Sequence, residues 1–98
     1  MDYIIDEVES KISVSFSGDI DMISVKDIKD KLFSLSREHS KDIEIDLKNA
    51  DYLDSSGIGM FLTLNKLQKE KNHKMHLVNI PDRISNILKL SSLDTTLS

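Results

Sequence analysis

The sequence predicts an α/β fold in which a mixed sheet of four to five strands packs with about three helices. Two hydrophobic periods carry this prediction: short segments alternate apolar and polar residues, while longer ones repeat their apolar residues every three or four positions. In addition, the three glycines and the single proline all lie near predicted ends of elements. A chain of 98 residues has room for one two-layer core, so residues 1–98 are predicted to form a single domain.

The first two predicted strands form a hairpin. Residues 3–8 favour a strand and are followed by a short turn at Glu9 and Ser10. Residues 11–17 alternate strictly, and their apolar members share one face: Ile12, Val14 and Phe16. Because the connection is so short, we expect the two strands to be antiparallel.

The first helix follows a predicted break of the strand at residues 18–21. Ser24 is the expected N-cap, and Asp27 three residues later completes a capping-box-like pair. The helix is predicted to continue to about Glu38. Its apolar residues fall on one helical stripe: Val25, Ile28, Leu32 and Leu35.

A third strand and a second helix come next. Residues 42–47 alternate, so that the apolar side chains point inward while the carboxylates leave part of one sheet face in water. The second helix is predicted from Ile58 to about Lys71. Its first half is apolar nearly all round, so it should be the most buried helix or should contact a partner.

A fourth strand over residues 74–80 and a third helix complete the predicted fold. Pro81 occupies a favoured first-turn position of this helix, whose apolar residues are Ile84, Ile87 and Leu88. Residues 93–98 are candidates for a short fifth strand at the sheet edge. This order of elements implies a mixed sheet whose parallel strands are joined by right-handed crossovers.

Composition narrows the classes of function. A net charge of -4 argues against a nucleic-acid partner, which requires clustered Lys and Arg. Cysteine is absent, which excludes disulfides and thiolate metal sites. No apolar stretch approaches the ~20 residues of a membrane span, and the acidic N-terminus is unlike a signal peptide, so the expected location is the cytoplasm. Neither metal-ligand spacing nor a glycine-rich nucleotide loop occurs, which predicts no metal and no cofactor.

The segment 53–59, Leu-Asp-Ser-Ser-Gly-Ile-Gly, is the candidate functional site. It lies between a predicted strand and the second helix, so Ser55 and Ser56 offer two hydroxyls at the helix start. Unpaired backbone N–H groups and the positive end of the helix dipole gather there. Such a position suits an anion, including a phosphate attached to the protein itself.

A catalytic role for these serines is not favoured by their surroundings in the sequence. A nucleophile elbow needs glycine two residues before the serine, where Leu53 stands instead. The three histidines, His39, His73 and His76, are typical of ordinary surface or part-buried positions. Ser55 therefore has no evident base, and the protein is not predicted to be an enzyme.

A plain helix N-cap is the structural alternative for this turn. A capping Asp or Ser stabilises a helix by ~0.5–2 kcal/mol, and many helices begin in this way. However, Gly57 and Gly59 lie at the helix start, where each glycine costs ~1 kcal/mol relative to alanine. Close approach by another backbone or by a partner is the simplest compensation, so both glycines point to a contact at this turn.

The turn and its flanks resemble the signature of the STAS domain, and within it the small bacterial anti-sigma factor antagonists. The resemblance consists of the segment 54–59 with the Ile-Asp-Leu strand before it, the Gly-Asp-Ile-Asp loop at 18–21, and Asn-Ile-Pro at 79–81 followed by Arg83, Ile84 and Leu88. It spans about residues 3–93 in the family's order of elements. The Asp-Ser-Ser-Gly turn after a buried strand is its most specific part.

The resemblance implies a phosphorylation-switched binding module. The phosphoacceptor would be Ser55, and the partner-binding residues would be Asp21, Asp54, Ser55, Ser56, Gly57 and Ile58. The implied partner is an anti-sigma factor that is also a serine kinase of the histidine-kinase-like ATPase fold. Unphosphorylated protein would bind it and free the sigma factor, phosphorylation would end that binding, and a PP2C-type phosphatase would restore it.

Family members usually continue through a final strand and a C-terminal helix, whereas this chain stops at Ser98. Two other functions remain open at this point. One is a STAS scaffold or regulatory subunit of a signalling or transporter complex, in which the serine turn docks a partner without any phosphate. The other is a small hydrolase using Ser55, which lacks a base.

Overall fold

The computed structural model describes residues 1–90, which form a four-stranded sheet and three helices. The order of elements is β1 (Asp2–Glu7), β2 (Lys11–Ile20), α1 (Met22–Glu38), β3 (Asp42–Leu53), α2 (Ser55–Glu70), β4 (Met75–Val78) and α3 (Asp82–Leu90). The strands are arranged β1-β2-β3-β4, with β1 antiparallel to β2 and the other neighbours parallel. The predicted fold class and the hairpin are confirmed. The fifth strand predicted at residues 93–98 lies outside the described residues.

The core lies between the helices and one face of the sheet. Alternate residues of the inner strands are fully buried, as their period of two predicted: Ile12, Val14 and Phe16 in β2, and Ile43, Ile45 and Leu47 in β3. From the helices come Ile28, Leu32, Phe61 and Leu64, and the rings of Phe16 and Phe61 pack at 6.0 Å between centroids. Leu35, predicted on the α1 stripe, packs against this core only half-buried.

Both central strands run further than predicted, because each gives the other a pairing partner. The expected break at residues 18–21 is wrong: β2 continues to Ile20, which pairs with Leu53 at the end of β3. The register shifts between Ser15 and Ser17 and again after Gly18, whose φ of 87° is open to glycine at little cost. These shifts interrupt the alternation of apolar and polar residues. A prediction based on that alternation therefore places the ends of both strands too early.

The helices also begin at other residues than predicted. Asp21, not Ser24, is the N-cap of α1; Ser24 is the third helical residue and completes the capping box with Asp21 rather than with Asp27. Helix α2 begins three residues earlier than predicted, at Ser55, because Asp54 caps it. Pro81 lies directly before α3, and its carbonyl accepts hydrogen bonds from the N–H groups of Ile84 and Ser85.

A buried polar network fastens the C-terminal half of α2. Gln68 is fully buried, and its Oε1 accepts a hydrogen bond of 2.6 Å from the Ser36 hydroxyl of α1. Its Nε2 donates to the carbonyls of Lys41 and Lys74, which precede β3 and β4. The Lys71 ammonium donates to three carbonyls at the end of α1, those of Ser36, Arg37 and His39. We call this region the Gln68 end.

Candidate functional site

The candidate site lies at the opposite end of the sheet, where β2 and β3 finish side by side. Ile20 pairs with Leu53, and both strands are parallel, so the chains leave the sheet in the same direction. After one further residue each, α1 begins at Met22 and α2 begins at Ser55. The topology therefore brings two helix N-termini together, and we call this region the Asp54 end.

One carboxylate ties the two helix starts to each other. Asp54 Oδ1 accepts hydrogen bonds from the N–H groups of Ser56 (2.9 Å) and Gly57 (3.1 Å) in α2. Its Oδ2 accepts a bond of 3.0 Å from the N–H of Met22, the first residue of α1. Its own N–H donates to the Ile20 carbonyl at 3.1 Å. A single negative charge thus serves the positive ends of two helix dipoles, which fixes the turn relative to α1.

This arrangement changes what the turn offers to a further anion. The sequence predicted unpaired N–H groups at the helix start, but those of Ser56 and Gly57 already bond Asp54. A phosphate on a neighbouring hydroxyl would still feel the helix dipole. It would add to the negative charge of Asp54 rather than fill an empty anion hole.

The two serines differ in accessibility. Ser55, the first residue of α2, is exposed, whereas Ser56 is half-buried. Ser55 is therefore the more accessible of the two hydroxyls.

Gly57 is required by packing inside the molecule. A Cβ at this position would lie 2.5 Å from Leu53 Cδ1, 2.9 Å from Ile20 Cγ2 and 3.1 Å from the Ile20 carbonyl oxygen. The strand end thus presses against the first turn of α2, which is the close approach predicted from its cost in a helix. Gly59 is different, since no described atom lies within 4 Å of the place its Cβ would take.

Two other predicted partner-binding residues have roles within the fold. Asp21 caps α1: its Oδ1 accepts from the Ser24 N–H at 3.0 Å, while Ser24 Oγ accepts from the Asp21 N–H. The bond from the Ser24 N–H to the carboxylate, and after it the interaction of the Ser24 hydroxyl with that carboxylate, lower the pKa of Asp21 below its ordinary value. Ile58, also predicted for partner binding, is only 7% exposed and belongs to the core.

Three exposed apolar residues near the turn were missed from the sequence. Met22 and Ile23 in the first turn of α1 are 58% and 74% exposed, and Tyr52 near the end of β3 is 49% exposed. Ile23 lies off the buried stripe of α1, which is a signal the sequence contained. Exposed large apolar side chains are candidates for a protein contact.

The histidines lie at the Gln68 end, far along β3 from Ser55. His73 and His76 approach Asp42, the first residue of β3, at 3.3 and 3.9 Å, and His39 approaches Glu7 at 3.3 Å. They therefore supply no base to Ser55. Within residues 1–90 no cluster of potential metal ligands is present, and no helix is long and apolar enough to cross a membrane.

Comparisons with a family model and with a known protein both point to the STAS domain family. The sequence model of the STAS domain matches residues 3–97. The anti-sigma-B factor antagonist of Bacillus subtilis (strain 168) is 32% identical over 85 residues, which cover 87% of this chain and 77% of that protein.

Solved structures agree with this result at the level of the fold. The anti-sigma factor antagonist SpoIIAA in its unphosphorylated form superimposes with a TM-score of 0.87 at 17% identity, covering 99% of this chain and 86% of that one. The phosphorylated form of SpoIIAA from Bacillus superimposes with a TM-score of 0.79 at 17% identity, over 99% and 89% of the two chains.

Proposed function

We propose that this chain, which belongs to the STAS domain family, is an anti-sigma factor antagonist that is switched by phosphorylation of Ser55. Its unphosphorylated form binds an anti-sigma factor and so releases a sigma factor for transcription. The anti-sigma factor is also the serine kinase that modifies Ser55, and a PP2C-type phosphatase reverses the modification. The bacterial cytoplasm is the compartment in which this exchange takes place.

The observation that carries this proposal is an exposed serine at a helix start that the Asp54 carboxylate holds against α1. Met22, whose side chain is 58% exposed, lines the same groove as Ser56 and supplies apolar surface next to the turn. Relatives named as anti-sigma factor antagonists support the class of partner.

Electrostatics supports a local effect of the phosphate. A phosphoserine carries about -1.5 to -2 charge and three acceptor oxygens. At Ser55 it stands beside the Asp54 carboxylate, whose bonds already use the N–H groups of Ser56 and Gly57. The new charge therefore projects toward a bound partner, and the fold itself has no need to change. The partner dissociates because the phosphate places additional volume and negative charge against the partner's contact surface.

The test is the affinity of an anti-sigma factor kinase, cloned from the same genome, for three forms of this protein. We expect wild type and Ser55→Ala to bind it equally in isothermal titration calorimetry, and Ser55→Asp to bind at least tenfold more weakly. Phosphorylated wild type should recover its affinity after treatment with a PP2C-type phosphatase. Equal binding by all forms, with no uptake of phosphate from ATP, would favour a STAS scaffold that works without a switch.

A further inference from the structure

A groove runs between α1 and α2 and begins at the serine turn. Its volume is about 340 Å³, and Ser56 lies in its wall. Val25 of α1 and Met60 of α2 form part of its apolar lining, each nearly buried, and Phe33 of α1 lines it half-buried. The groove thus offers an apolar lining that is open to a partner and continuous with the proposed contact surface.

The charge of this groove is opposite to that of the protein. Lys26 and Lys29, three residues apart on the exposed side of α1, line it. Among residues 1–90 the groove is lined by no carboxylate, and neither lysine forms an ion pair. In a chain with net charge -4, two unpaired cations beside an apolar lining favour an occupant that is both acidic and amphipathic.

Gly59 gives an independent reason to expect an occupant. It lies in α2 on the groove wall, one turn before Thr63 on the same wall, where glycine is unfavourable relative to alanine. Unlike Gly57, it is not needed for packing within residues 1–90, because a Cβ there would meet no atom within 4 Å. A helical glycine facing an open groove suits the close approach of a second chain.

We infer that this groove binds an acidic amphipathic segment of the anti-sigma factor. This inference rests on the proposed function and adds a site to it. It also explains how the phosphate would act. Ser55 adjoins Ser56 in the groove wall, so a phosphate on Ser55 would repel the carboxylates of the bound segment. The lysines attract the segment when Ser55 is unmodified, and the phosphate offsets that attraction.

The sharpest test is Gly59→Ala. If the groove binds a partner, this variant should raise the stability of the free protein and lower its affinity for the anti-sigma factor. In the free protein, alanine favours the helix and meets no steric obstacle, so the midpoint of urea unfolding should rise. In the complex, the methyl group occupies the space of the partner, so the affinity for the purified anti-sigma factor should fall about tenfold in calorimetry. A glycine with only a structural role would not separate stability from binding in this direction.

Charge reversal tests the chemistry of the occupant. The double variant Lys26→Glu/Lys29→Glu should lose at least tenfold in affinity, and the loss should shrink as salt is raised. Lys31→Glu is the matched control, since Lys31 is an exposed lysine of the same helix outside the groove. It should bind like wild type.

The outcomes separate the inference from the proposed function. If Gly59→Ala and the double variant both bind like wild type while Ser55→Asp binds weakly, the groove is not the contact and the proposed function stands. If the double variant instead dissociates a dimer of this chain in sedimentation, the occupant is a second copy and the inference is overturned. If wild type binds no anti-sigma factor at all, both the inference and the proposed function fall.

Discussion

The two ends of the layer formed by α1 and α2 are held together by opposite means. At the Asp54 end, one carboxylate accepts three N–H groups at the positive ends of two helices. At the Gln68 end, a buried amide and the Lys71 ammonium satisfy the carbonyls at the C-terminus of α1 and before two strands. Each charge matches the helix dipole that it meets.

The difference between the ends lies in what they leave exposed. Gln68 is fully buried. Its amide oxygen accepts a hydrogen bond from α1, and its amide nitrogen donates to a carbonyl before β3. Asp54 is only half-buried and is followed by the exposed Ser55. The same helix is therefore sealed into the fold at one end and presents a fixed, accessible hydroxyl at the other. We expect changes at the Gln68 end to affect stability first, and changes at the Asp54 end to affect partner binding first.

The largest effect on stability is expected for Gln68→Leu. The variant leaves the buried Ser36 hydroxyl without its amide partner, and it removes one donor from each of the part-buried carbonyls of Lys41 and Lys74. We expect the free energy of unfolding to fall by about 3 kcal/mol in urea denaturation. The exposed Lys66→Leu, in the same helix, is the control and should change it by less than about 0.5 kcal/mol. A loss no larger than that of the control would contradict the assigned role of the network.

Asp54→Ala is expected to reduce the affinity for the partner more than it reduces stability, the reverse of Gln68→Leu. It removes the cap of α2 and the bond to Met22, which should cost about 1–2 kcal/mol of unfolding free energy. Affinity for the anti-sigma factor should fall more than tenfold, because the turn is no longer fixed against α1. Asp51→Ala is the control, a carboxylate that only approaches Arg83 at 3.8 Å. If the folded Gln68→Leu protein lost more affinity than Asp54→Ala, the division of roles between the ends would be wrong.

A smaller effect concerns acid stability at the Gln68 end. The Lys74 N–H, bonded at 2.9 Å, and then the His73 ring lower the pKa of Asp42 below its ordinary value of 3.8, against the opposing effect of burial. The ionised carboxylate is thus favoured in the folded state. Its contribution is present above the ordinary pKa and is lost as the pH falls through the lowered one.

Urea unfolding at pH 6 and pH 3 checks this contribution. Wild type should lose stability between these values, and Asp42→Asn should lose less, because it has no such carboxylate to protonate. An equal loss in both proteins would mean that Asp42 does not contribute to the acid dependence.

The sequence predicted those elements whose pattern is local. The stripe of Val25, Ile28 and Leu32 and the alternation from Ile12 to Phe16 need only their own period, and the structure buries all of them. The segment 53–59 was found because small polar residues and glycines interrupt such patterns, and the resemblance to the STAS domain then selected Ser55 over Ser56. The ends of β2 and β3 were missed since they depend on pairing between Ile20 and Leu53, which are far apart in the chain.

Polar contacts between residues far apart in the chain could not be predicted from local hydrophobic periodicity. Nothing local indicates that Gln68, an ordinary residue for an exposed helix face, is buried against Ser36, or that Asp54 reaches Met22. Gly57 and Gly59 look alike in the sequence, yet one is explained by Leu53 and Ile20 and the other faces an open groove. Only the packing of α2 on the strand ends and on α1 separates them.

The central claim is that the Asp54 end presents Ser55 for modification, and site mapping tests it most directly. Wild type, Ser55→Ala and Ser56→Ala are incubated with ATP and the anti-sigma factor kinase from the same genome, and the phosphorylated residue is located by tandem mass spectrometry. We predict one phosphate on Ser55 in wild type and in Ser56→Ala, and none in Ser55→Ala. Phosphate on Ser56, or undiminished uptake by Ser55→Ala, would contradict the account.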